Sequence, residues 1–144
     1  MIRAALFDLD GTLVSSLPEL AKGVEMLSRE LGAPVPPAAV VGDMIGGRVR
    51  VLIDRLFLWW QGAGMMVLPD FESTLQRLVA IWSGMSGDLI REIPGAFAGV
   101  QSLKEAGISV WLVTNKERGL TEAFLRERGI DALFNGLVAA GDCA

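Results

Sequence analysis

Four apolar residues, Ala4-Ala5-Leu6-Phe7, run without polar alternation straight into Asp8-Leu9-Asp10-Gly11-Thr12. A short, uninterrupted apolar run reads as a strand buried on both faces. The acids end that run, and Gly11 is the expected turn residue. In extended backbone, residues i and i+2 project to the same side, so Asp8 and Asp10 both face one site. The bland alternative is a plain turn, since Asp-Gly pairs are common turn formers. A buried strand running directly into two acids speaks against it.

The rest of the chain repeats this strand-then-break pattern around a long helical middle. Ser16-Leu17-Pro18-Glu19 has capping-box spacing, and Leu17, Leu20, Ala21, Val24, Leu27 and Leu31 share one helical face up to Gly32. Pro34, Pro36 and Pro37 form a stiff connector. Further helices are expected from Arg48 to Trp60, after Gly46-Gly47, and from Asp70 past Trp82. Trp59, Trp60, Met65, Met66 and Trp82 read as the core of a helical subdomain rather than a cofactor box or lipid surface. After Pro94-Gly95 come a helix over Ala96 to Ala106, a doubly buried strand Val110–Val113, a helix from Glu117 to Arg128 and a weaker strand over Leu137 to Ala140. The expected fold is α/β: an incomplete Rossmann-like parallel sheet, with an all-helical cap inserted. Residues 1–14 and 94–144 form the core in this reading, and residues 15–93 the cap.

Composition narrows the chemistry. The 144 residues include no histidine, which removes His-based acid–base catalysis, His–metal ligation and every His-containing triad. Thirteen basic against 17 acidic side chains leave a net charge of -4, without the broad basic field that a nucleic-acid partner needs. The single cysteine, Cys143, allows no internal disulfide and suits a reducing cytoplasm. The N-terminus reaches Asp8 too soon for a signal peptide, and the uncharged run between Arg55 and Asp70 is too short and interrupted for a membrane span. The carboxylates remain as the main candidates for chemistry. Thr114 and Asn115 end the second strand; if the strands are parallel they lie at the same sheet edge as Asp8 and Asp10. A loop and helix cap is their bland alternative. Lys116 reads as a solvated surface charge.

Phe7-Asp8-Leu9-Asp10-Gly11-Thr12-Leu13-Val14 resembles the first motif of the haloacid dehalogenase-like phosphatases, and Val113-Thr114-Asn115-Lys116 resembles the second. Pro94-Gly95 is similar to that family's re-entry from a helical cap into its core. Ile45-Gly46-Gly47 ahead of a cap helix resembles the phosphoglycolate phosphatases within it. The resemblance implies a magnesium-dependent phosphatase acting on a small phosphorylated metabolite. Asp8 is then the nucleophile that forms an aspartyl-phosphate, and Asp10 the acid and base that serves the leaving group and the water. It places Leu9, Gly11, Thr12, Thr114 and Asn115 around the phosphate, with backbone N–H groups donating to its oxygens. Asp8 and Asp10, the latter through its backbone carbonyl, supply part of an octahedral Mg2+ shell. Arg48 either meets a substrate carboxylate or lies on a plain helix face.

The family pattern further includes a lysine and a pair of acids downstream of the third strand. Lys104 and Lys116 are at the wrong places to replace that lysine, Asp131 and Asp142 do not form the acidic motif, and Ser15 stands where relatives often carry an acid. The expectation is therefore a C-terminally truncated chain. The effect is large: like unit charges about 4 Å apart at an effective dielectric of 20 repel by roughly 4 kcal/mol. That is roughly a thousandfold in rate. The alternative function is a non-catalytic remnant that binds phosphate weakly or a partner through its cap. A response receiver fits less well, because its acids and phospho-acceptor sit at separate strand ends. Without a neighbour on its free side, the strand Ala4–Phe7 is also expected to drive self-association.

Overall fold

The computed structural model describes residues 2–85 and 87–142; Cys143 lies outside them. In chain order the elements are β1 (Ala4–Phe7), β2 (Val14–Ser15), α1 (Leu17–Glu30), α2 (Ala38–Met44), α3 (Val49–Gly62), α4 (Phe71–Ser83), β3 (Arg91–Glu92), α5 (Ala96–Glu105), β4 (Ser109–Glu117), α6 (Arg118–Arg128), a 3-10 turn at Asp131–Leu133 and β5 (Gly136–Ala140). The chain divides into two compact units, one running up to Ser16 and resuming at Ile90, the other Leu17–Leu89.

The first unit holds a three-stranded parallel sheet in the order β1-β4-β5. Phe7 lies beside Leu112, and Leu112 beside Leu137, so the carboxyl ends of β1 and β4 share one edge. This is the pairing expected of two apolar runs separated by a long crossover. Val100 of α5 and Phe124 and Leu125 of α6 pack with Val110 and Leu112 of β4, Leu9, Leu13 and Val14 into one buried cluster. Gly129 ends α6 in the left-handed region, at φ 64°, a conformation that costs glycine little.

Burial corrects the sequence reading of the strands. Among the described residues they are covered on one face only. Alternate residues of a strand face opposite sides, and the side bearing Val110 and Leu112 is the one that α5 and α6 cover. On the other side Leu6 is 69% exposed, and Trp111 and Val113 are each 37% exposed. An apolar run records the preference of its residues and not the number of layers that meet it.

Ser15, Arg91 and Glu92, expected inside the helical insertion, are strand residues. Val14 pairs with Glu92 and Ser15 with Arg91, antiparallel, and the Ile93 N–H donates to the Leu13 carbonyl at 3.0 Å. These bonds gather the outgoing and returning strands into the sheet-bearing unit, so its boundaries move to Ser16 and Ile90.

The second unit is helical. Its α1, α3 and α4 match the expected helices to within a few residues, while α2 follows the proline connector in a stretch where the sequence suggested no element. Pro37 stands at the N-cap position of α2 with φ -58° and ψ 149°, inside the narrow φ range that its ring fixes. Asp70 caps α4: its carboxylate accepts from the Ser73 N–H at 2.9 Å and the Ser73 hydroxyl at 2.8 Å. Those two bonds, the backbone one first, hold the Asp70 carboxyl below its ordinary pKa. Inside the unit, α1 and α4 meet at Gly23, where even one added methyl group would lie 2.1 Å from the Trp82 indole nitrogen.

Candidate active site

The loop after β1 is built around Leu9. Its side chain is 1% exposed, and its carbonyl accepts from the N–H groups of Leu13 and Val14 at 2.9 and 3.1 Å. The Gly11 N–H returns to the Val14 carbonyl at 2.7 Å, with Gly11 at φ 81°. So tight a turn needs the left-handed conformation that a side chain would strain. Burying Leu9 leaves its neighbours outside: Asp8 is exposed and Asp10 half-buried. The Asp8 carboxylate accepts from the Leu9 N–H at 2.7 Å, which fixes one oxygen at the strand end.

The second strand end reaches the same place. Thr114 is buried, and its hydroxyl accepts from the Lys116 N–H at 3.2 Å. The register of β4 against β5 shifts between Val113 and Glu117. Such an irregularity re-aims the side chains that follow it. Lys116 then points at Asp10, with its ammonium 3.3 and 3.5 Å from the two carboxylate oxygens. The Lys116 side chain is only 10% exposed and that of Asp10 19%.

Lys116 is thus no solvated surface charge. It is the residue that sequence reasoning missed, and it proves that the first and second motifs meet. Lys104 has a separate task, donating to the Ala132 carbonyl on the 3-10 turn. Gly11 and Thr12 follow the acids on the loop after β1, Asn115 lies near the end of β4, and Thr12 and Asn115 are exposed. Arg48 belongs to the helical unit, where it caps α3.

Asp142 is held away from any acidic pair. Its carboxylate accepts from the Arg118 guanidinium at 2.9 Å and from the Ala139 N–H at 2.8 Å, joining the end of β5 to the start of α6. The Arg118 bond, then the Ala139 bond, lower the Asp142 pKa from its ordinary value. A depressed carboxyl pKa means that the tie contributes fully above the unfolded value and is lost as pH falls through the folded one. In an NMR pH titration the Ala139 amide and Arg118 Nε signals are expected to move together, with a midpoint below the ordinary aspartate value. A midpoint at the ordinary value would show that the tie is absent in solution.

Asp8 and Asp10 offer hard oxygen donors of the kind Mg2+ takes, usually one or two carboxylates with waters and phosphate oxygens beside them. Among the described residues no group of three or more His, Cys, Asp or Glu side chains gathers. The donor chemistry of these two residues fits Mg2+.

Known proteins place this arrangement in a family. The chain is 29% identical to a phosphoglycolate phosphatase of Thiobacillus denitrificans, over 98% of this chain and 61% of that protein. It is 32% identical to the plasmid phosphoglycolate phosphatase of Cupriavidus necator, over 98% of this chain and 60% of the relative. The crystal structure of a predicted phosphoglycolate phosphatase from Haemophilus somnus superposes with a TM-score of 0.90 at 27% identity, covering 97% of this chain and 63% of that one. The chain therefore spans about three-fifths of the length of the relatives it matches. The model of the haloacid dehalogenase-like hydrolases matches residues 2–144, and with both motifs joined at one sheet edge the chain belongs to that family.

Proposed function

We propose that this chain carries the nucleophile and the acid–base residue of a phosphatase that hydrolyses a small phosphorylated metabolite of the phosphoglycolate kind. The observation that supports it best is the Lys116–Asp10 contact, which joins the two motifs where β1 and β4 end. Asp8, exposed at the end of β1, attacks phosphorus, and the bond to the leaving oxygen breaks as the aspartyl-phosphate forms. Asp10 protonates that oxygen, then takes a proton from the water whose attack frees Asp8 and inorganic phosphate. Gly11 lets the backbone approach the phosphate, while Leu9, Thr12, Thr114 and Asn115 supply groups around it. The Asp8 carboxylate and the Asp10 backbone carbonyl would hold Mg2+, which offsets charge on the phosphoryl oxygens when bound. No described helix is long and apolar enough to cross a membrane, and a single cysteine suits a reducing cytoplasm.

The test is phosphate release from phosphoglycolate with and without Mg2+. It uses this chain alone and this chain joined to the C-terminal part of the Cupriavidus necator relative. Little release is expected from the chain alone, and Mg2+-dependent turnover from the joined protein. A folded joined protein without turnover would overturn the phosphatase reading in favour of a phosphate- or partner-binding module.

Self-association is proposed for the chain on its own. β1 lies at the edge of its sheet, and Leu6 beside that edge is 69% exposed. An open apolar edge invites pairing with another strand. Sedimentation is expected to show dimers or larger species at micromolar concentration, reduced by Leu6→Lys. A monomer across that range removes the idea.

A further inference from the structure

The Lys116 side chain has no role in the reading above, yet it is nine-tenths buried against an acid of the site. Burying an ammonium is expensive unless it is paired. Its pairing here is loose. Both Asp10 oxygens are 3.3 to 3.5 Å away, whereas a well-seated ion pair closes to roughly 2.7–2.9 Å. An ammonium has three donors, and one carboxylate at this distance does not saturate them. The backbone explains why the side chain stays: its own N–H is bonded to Thr114, in the irregular stretch of β4 between Val113 and Glu117. The chain thus anchors the residue at both ends, with a weakly held cation where Asp8 and Asp10 would otherwise present only negative charge.

We propose that Lys116 is a phosphoryl-binding residue, whose ammonium exchanges the Asp10 carboxylate for a phosphoryl oxygen when a phosphate ester enters the site. The proposal rests on the phosphatase reading for the identity of the substrate, but not on turnover. A phosphate dianion facing the two acids is repelled by both of them. A cation already in place offsets part of that repulsion without any change of fold. Moving the ammonium off Asp10 also releases that carboxyl group for proton transfer to the leaving oxygen. Binding and acid–base readiness are then linked through one side chain.

Calorimetric titration of this chain with inorganic phosphate, without Mg2+, tests the proposal apart from catalysis. Lys116→Met is expected to weaken phosphate binding about tenfold or more, as loss of a hydrogen bond to a charged group does. In the Asp10→Asn background the same substitution should cost more, because no carboxylate competes there for the ammonium. Lys116→Arg should retain binding within a few-fold. Lys116→Met alone leaves Asp10 half-buried and unpaired, so its folding is checked by circular dichroism. The Asp10→Asn, Lys116→Met double variant removes both charges and keeps the comparison valid if the single variant unfolds. Glycolate, a carboxylate without a phosphoryl group, should show no dependence on Lys116. Equal phosphate affinity with and without Lys116 in the Asp10→Asn background overturns the proposal. So does Lys116-dependent binding of glycolate alone, or no saturable phosphate binding up to about 10 mM. Phosphate binding through Lys116 together with no phosphoglycolate turnover by the joined protein contradicts the proposed function only.

Discussion

Asp8→Asn in the joined protein is expected to remove phosphate release to the limit of detection, a loss of at least about a thousandfold or roughly 4 kcal/mol in the barrier. The amide has nearly the shape of the carboxylate and lacks its nucleophilic charge, so the fold should be unchanged while no phosphoenzyme can be trapped by acid quenching. The Leu9 N–H that donates to Asp8 at 2.7 Å keeps an oxygen acceptor in the variant. The turn on Leu9 therefore has no reason to move. Asp10→Asn separates the two roles. It should slow both formation and breakdown of the intermediate, because leaving oxygen and water lose the same proton carrier. Turnover by the Asp8→Asn protein at the parent rate would overturn the nucleophile assignment and the two-step mechanism with it.

The parts of this site that the sequence makes legible are those fixed by local rules. Asp8-Leu9-Asp10-Gly11-Thr12 combines a strand end, a spacing of two and a turn glycine, and each acts within five residues. The parallel pairing of β1 with β4 follows from two apolar runs on either side of a long crossover. Lys116 was illegible because its direction depends on the register shift of β4 against β5, a relation between strands that no local pattern encodes. The Arg118–Asp142 tie joins residues 24 apart for the same kind of reason. One-sided burial escaped too: the apolar runs of β1 and β4 cannot state that α5 and α6 lie on the same face. The helix α2 is only seven residues long, below the length at which periodicity speaks.

Trp60→Ala is expected to have the largest effect on stability. Trp60 is fully buried and continues the stripe of Leu52, Ile53 and Leu56 along the inner face of α3. Its ring stacks on Phe57 with centroids 5.6 Å apart, and Phe57 meets Phe71 of α4 edge-on at 5.8 Å. The indole N–H donates to the Pro34 carbonyl at 2.9 Å, fastening the proline connector to α3. Truncation to alanine removes the packing, at about 3–5 kcal/mol. Leaving the Pro34 carbonyl unsatisfied adds about 1–3 kcal/mol if no water replaces the bond. Against the 5–15 kcal/mol or so that holds a typical domain together, that is enough to unfold the helical unit. Trp60→Phe separates the contributions in part, since it keeps the larger share of the ring volume but loses the N–H donor together with the pyrrole part of the indole. It should cost about half as much or less, from one hydrogen bond and a small cavity. Amide hydrogen exchange is the appropriate readout, because it reports each unit separately. In Trp60→Ala, protection is expected to collapse across α1, α3 and α4. Protection in the alanine variant equal to that of the parent would mean that the Trp60 cluster is not what holds these helices together.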